Sequence, residues 1–484
     1  MVFCKSFKEK SPIIRFLNEF QNSVWYPILF AVLCIFSGTH NYKVYLPILC
    51  VLCVFVLYSV VFADDNKVFL PPLLMIYFAV GFDNPPSDFK TSNGDMFASF
   101  DKKALICLIV MAAAIVIPFF VRIILDGSVK AAFTKRRKLT IGILALNLAF
   151  LLNGFMGPSF EAKNLLHGAI MGFGMSALYF VVHGILDRST DVVPYACKTV
   201  VCASYVVLGQ ILFTFLEKYF DGTLFYKYTE SVIDRSKLSL GWGVTTVVGA
   251  TLVLGIPAAF YLARNCKFGA FSYVSGVFFA VGTFVLDSRS SMVAGCAALA
   301  LCMLLSCIRS KNKVLCRVYT VLILLVPVGI LFYIFNYTDF KDTHVWDLVR
   351  SVLDSHKGDS GRIELWKNGI EDFKNYPVFG IGFLDGGYTT PEMNVYSNMY
   401  HCVIIELLGA MGVFGAVAFL IHVFEAVVLT FKKFRIDKFI LMLVPTMIII
   451  MSLVDNFFFY FNIQIFYCVF LVLAEKFEEE NRII

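Results

Sequence analysis

Charge is scarce in this chain of 484 residues: Asp, Glu, Lys and Arg together make up 16%, against 59% hydrophobic and 16% aromatic residues. Soluble globular domains run at roughly half apolar and about a quarter charged, so that class is excluded. A small-residue cleavage site after the first apolar run is also missing, and that run reads as a retained signal anchor. No HExxH appears, and the loops assigned below to the outer side hold no tight carboxylate cluster, which argues against a zinc or magnesium enzyme. Nor is there an internal repeat of the kind many transporters show. The 14 cysteines are scattered through apolar stretches, where they act as small hydrophobes; Cys50 and Cys53 have CxxC spacing but no second pair and no histidine partner.

What the chain does have is long apolar runs. They lie near 24–37, 43–62, 67–82, 104–125, 139–155, 164–186, 195–216, 243–263, 269–286, 290–308, 314–335, 399–431, 437–452 and 457–474. A run of about 20 apolar residues spans a bilayer as a helix. The pattern predicts an all-α integral membrane protein with about 12–14 transmembrane helices. Basic residues gather before the first run, at 135–138, at Arg264 and Lys267, at 309–317 and at 432–438, and by parity all these loops share one side. Positive charge is retained in the cytoplasm, so both termini should lie there, including the acidic tail EKFEEENR.

The loops on the other side are 83–103, 156–163, 217–242 and, much the longest, 336–398. A loop of that length usually has a function. Within it, TDFKDTHVWDLVRSVL and IELWKNGIEDFKNY have helical spacing and PVFGIGFLDGG is a glycine-rich turn, which predicts a small helical extracytoplasmic cap between two late helices. Polar residues that interrupt apolar sequence fall on this face: Arg289 in VLDSRSSMV, Arg362 at the start of IELW, and His401 in YSNMYHCVIIELLGAMGVFG, with Arg235 and Lys237 just ahead of the eighth run. Asp455 and Asn456 read as the turn between the last two spans, and Gly409, Gly412 and Gly415 as small residues for close helix packing.

Taken in order, SR at the start of a span, GRxxLWxxxIxxFxxxPxxGxG in the long loop, and a histidine leading into ExxGxxG resemble the O-antigen ligase and O-antigen polymerase superfamily. The resemblance covers roughly residues 235–430. It divides the chain into an N-terminal transmembrane bundle (1–234), a catalytic region with the loop 336–398 (235–431), and a C-terminal helix pair with a cytoplasmic tail (432–484). It implies a bacterial plasma-membrane glycosyltransferase that moves a glycan from an undecaprenyl-pyrophosphate carrier at the outer face. Arg289 and Arg362 would grip the pyrophosphate, Arg235 would assist, and His401 would act as general base; guanidinium holds phosphate bidentately, and histidine titrates near neutrality. Transfer would invert the anomeric centre without metal or cofactor. The family has asparagine after the histidine where this chain has Cys402, so Asn398 or Glu406 should orient the imidazole. A polymerase, with a lipid-linked oligosaccharide as acceptor, is the first reading. An O-antigen ligase acting on a lipid A core or a protein is the second, and a flippase of lipid-linked oligosaccharides is the reading from another class. Expected partners are the donor and acceptor lipids, membrane lipid, and a chain-length regulator or flippase; no nucleic acid is expected.

Overall fold

The computed structural model describes residues 11–37, 42–79, 102–157 except 136, 160, 162–337 except 227–228, 234, 241, 287 and 309, then 362–383, 388–389, 396–397 and 400–480. In chain order the helices are α1 (Pro12–Asn22), α2 (Trp25–Ser37), α3 (Tyr42–Phe62), α4 (Leu70–Met75), α5 (Lys102–Leu125), α6 (Ser128–Thr134), α7 (Thr140–Leu151), α8 (Ala162–Leu186) and α9 (Val192–Phe220). There follow α10 (Thr245–Asn265), α11 (Gly269–Val285), α12 (Arg289–Ser306), α13 (Lys313–Tyr337), α14 (Arg362–Asn375), α15 (Val403–Phe431), α16 (Ile436–Met451) and α17 (Phe461–Glu480). Two short antiparallel hairpins, Phe225–Tyr226 with Thr229–Ile233 and Tyr388–Thr389 with Tyr396–Ser397, lie in loops.

The protein is an all-α integral membrane protein, and each of the fourteen apolar runs carries a helix. Among the described residues, five helices are long and apolar enough to cross a membrane, or up to seven when the bent pairs α1–α2 and α5–α6 are each one span. Several of the others, such as α7, α11 and α16, are shorter. A helix of 12 residues such as α7 is about 18 Å long, well under the roughly 30 Å of the hydrocarbon core.

Helix α10 is the axis of the bundle and is buried along nearly its whole length. Lipid tails supply no hydrophobic drive for helix association, so close approach must come from small residues. A Cβ on Gly249 of α10 would lie 2.8 Å from that of Ser291 on α12, and one on Gly276 of α11 would lie 2.6 Å from the Phe260 ring.

One end of the bundle is closed by charge. Lys135 and Arg137 meet Asp187 at 2.6 and 3.5 Å, Lys138 and Lys438 both pair with Glu478, Lys476 meets Glu479 at 3.3 Å, and Arg264 meets Asp437 at 2.8 Å. The acidic stretch read from sequence as a tail continues α17 as far as Glu480, with Glu475, Lys476 and Glu478 buried among the basic loops. Runs of charge at a chain end ordinarily solvate. Here the opposite charges of loops 135–138 and 435–438 neutralise them. Replacing Glu478 with alanine should leave the buried Lys438 ammonium without this carboxylate and cost about 3–5 kcal/mol. An unchanged denaturation midpoint in detergent would reduce the cluster to a solvated face.

At the other end, α15 is broken at Gly412 (φ 64°, ψ −161°), a conformation open only to glycine. The break frees backbone groups that would otherwise go unpaired in a membrane. Residues 377–383 satisfy them: Ile381 and Gly382 donate to the Gly409 and Ala410 carbonyls (2.9 and 3.0 Å), and Val413 and Phe414 donate to Pro377 and Val378 (2.8 and 3.1 Å). The same segment is fastened to the end of α7, where Gly154 donates to Phe379 (2.8 Å) and Phe383 donates to Asn153 Oδ1 (3.1 Å). The glycine-rich stretch expected as a surface turn of the cap is therefore, over residues 380–383, buried inside the bundle. The first cap helix expected, over 338–353, lies outside the described residues.

Candidate active site

His401 stands just ahead of α15 with its backbone in the left-handed region (φ 53°). Its neighbour Tyr400 is fully buried, with its ring wedged where Gly369 of α14 and Gly409 of α15 leave room, and its hydroxyl donates to Asp372 Oδ2 at 2.6 Å. Two residues on, the Val403 N–H donates to the Ser452 carbonyl (2.7 Å), and the Phe458 N–H donates to the Ser452 hydroxyl (2.8 Å). The start of α15 is thus tied to the α16–α17 turn on one side and to α14 on the other.

That turn supplies the group sequence reasoning assigned to other residues. Asp455 Oδ1 lies 3.0 Å from His401 Nδ1 and accepts the Asn456 N–H at 2.8 Å. Burial pushes the Asp455 carboxyl up, but the hydrogen bond and charge of His401, the Asn456 N–H and the charge of Arg362 outweigh it and hold the group below the usual carboxylate range. An ionised carboxylate only accepts, so the proton between the two sits on Nδ1. Nε2 is the other ring nitrogen, the one available to take a proton when the ring carries only that on Nδ1, and the side chain is 32% exposed.

Arg362 opens α14, half-buried, close enough for its charge to act on both Asp455 and Tyr460. Glu406, in the first turn of α15, accepts the Tyr400 N–H (2.8 Å) and the Asn456 side-chain amide (3.1 Å) without touching the imidazole. The hydrogen-bond partner of the imidazole is Asp455 rather than Glu406; Asn398, the other residue expected to orient it, lies outside the described residues.

Arg289 is the first residue of α12 and is exposed, after Ser288, whose hydroxyl donates to Ser291 at 3.1 Å. It lies at the end of α12 remote from the Arg264–Leu305 contact, hence at the His401 end. Among the described residues no hydrogen bond or ion pair joins it to His401 or Arg362. Arg235 begins a 3-10 turn, Arg235–Leu238; its side chain lies outside the described residues. The structure therefore joins His401 to Asp455 and sets Arg362 near enough for its charge to act on that carboxylate, while Arg289 stands apart from them on the same end. Asp455 and Asn456 carried one sequence signal: a polar pair between apolar runs, on the same face as His401 by parity.

Residues 274–420 match the O-antigen ligase family model. The match contains Arg289, Arg362 and His401, while Asp455 and Arg235 fall outside it. No curated protein matches the chain. A multi-pass helical bundle with an O-antigen ligase region supports placement in the O-antigen ligase and polymerase superfamily, and a membrane glycan-transfer function of ligase or polymerase type.

Proposed function

We propose that this protein is a bacterial cell-surface polysaccharide polymerase, transferring a glycan from an undecaprenyl-pyrophosphate carrier to a lipid-linked oligosaccharide acceptor. The observation that carries the reading is the 3.0 Å pairing of His401 with the buried Asp455, with Arg362 near enough for its charge to act on the same carboxylate. The acceptor oxygen attacks the anomeric carbon opposite the phosphate. A new glycosidic bond forms, the bond to the pyrophosphate oxygen breaks with its electron pair, and the hydroxyl proton passes to His401 Nε2. The anomeric centre is inverted. Charge accumulates on the departing pyrophosphate, where Arg362 stabilises it, with Arg289 and Arg235 as further cations for the same phosphates. Guanidinium supplies the positive charge a metal would otherwise bring. The same site with a lipid A core or a protein as acceptor is an O-antigen ligase, the reading that the description of the matching family favours.

In this account the His401 end faces the outside, and both termini and the charged end face the cytoplasm of the plasma membrane, where a flippase or chain-length regulator would be a neighbour. In a background without native cysteines, Lys374→Cys should react with an impermeant thiol reagent in intact cells and Arg435→Cys should not; labelling of position 435 would reverse the active face. Loss of the protein should leave lipid-linked repeat units on the outer leaflet, open to an impermeant glycosidase. Accumulation on the inner leaflet would identify a flippase instead.

A further inference from the structure

We infer that Glu406 is the positioning residue of this site, the group that sets His401 in its reactive geometry without contacting substrate or imidazole; the inference rests on His401 being the base proposed above. A non-glycine residue stays in the left-handed region only where its surroundings over-determine it, and His401 is such a residue. Its two constraints converge on one buried oxygen. Glu406 Oε2 takes the N–H of Tyr400, the residue immediately before His401, and the side-chain amide of Asn456, the residue immediately after its partner Asp455. One carboxylate therefore holds both members of the His401–Asp455 pair by their neighbours. The Glu406 side chain is almost completely buried and its hydrogen-bond partners are neutral donors, a backbone N–H and an amide. It is not the half of a salt bridge that merely stabilises a fold. Tyr400 extends the hold to α14 through Asp372, so Arg362 and His401 are placed relative to each other through the same residue.

The geometry predicts how substitutions separate. Glu406→Ala removes the shared acceptor, and Glu406→Asp keeps the carboxyl group but withdraws the oxygen by one methylene. Either should lower kcat about 10²-fold, the typical effect of a displacement near 1 Å, with KM for the lipid-linked donor changed less than about 3-fold. Glu406→Gln keeps an oxygen for both donors and should retain kcat to within about 10-fold. A readout that needs no substrate keeps this apart from the functional reading. With 15N-labelled histidine, and the His401 signals assigned by their loss in His401→Gln, the wild type should show a single neutral tautomer with the proton on Nδ1. Glu406→Ala and Glu406→Asp should show a mixture, and Glu406→Gln the wild-type tautomer. An unchanged tautomer in both of the first two variants would overturn the inference, whatever the activity. So would a kcat loss no larger than that of a variant destabilised equally at the far end, such as Glu478→Ala. Absence of transfer by the wild-type protein, with the tautomer pattern as described, would sink the functional reading alone.

Discussion

In the His401→Ala variant glycan transfer should fall by about 10²–10⁴-fold, the range a positioned general base contributes, while the protein remains in the membrane at normal abundance. The expectation follows from how the ring is held. Asp455 is held ionised and fixes the Nδ1 proton, so Nε2 is the ring atom left to take the acceptor's proton. Asp455→Asn should fall in the same direction, because an amide can donate to Nδ1 and turn the ring to the unproductive tautomer. The linkage has a definite sign. A carboxyl whose pKa is lowered in the folded protein stabilises the fold above its unfolded value, about 3.9, and that contribution is lost as pH falls through the lowered value. Acid sensitivity arising from Asp455 should therefore appear only below about pH 4 and vanish in Asp455→Asn. Near-normal polymer in His401→Ala would make the histidine a structural residue.

Arg362→Lys carries the second large effect. Lysine keeps the charge at the head of α14 but loses the planar fork that grips two phosphate oxygens. Removing a preorganised donor of this kind costs about 10²–10³-fold in rate, and most of that loss should appear in transfer assays with membrane abundance unchanged. Arg289→Lys separates two roles for the exposed residue at the start of α12. A clamp predicts a comparable loss; an interfacial anchor predicts wild-type activity, since lysine and arginine both snorkel.

The apolar runs were legible because helices in lipid must satisfy their own backbone, and the basic loops marked one end by charge alone. Three features were hidden, each for a physical reason. Gly412 reads as one small packing residue among several, and only the docking of residues 377–383 reveals it as a break whose free carbonyls and N–H groups they pair. The charges of residues 475–480 read as a solvated tail, because their partners in loops 135–138 and 435–438 are distant in sequence. Asp455 reads as a turn residue, being 54 residues from the imidazole it orients. Arg362 and His401 were legible as candidates, yet the pairing of His401 with Asp455 was not, since it exists only when the α16–α17 turn closes against the start of α15.

The most direct measurement is single-turnover transfer by the purified protein in liposomes, using a synthetic polyprenyl-pyrophosphate oligosaccharide as both donor and acceptor. The account predicts that the wild type forms a doubled glycan with inverted anomeric configuration and releases one polyprenyl pyrophosphate per bond formed, while His401→Ala binds the same lipid and releases none. Retained configuration in the product, or equal release by wild type and His401→Ala, would contradict it.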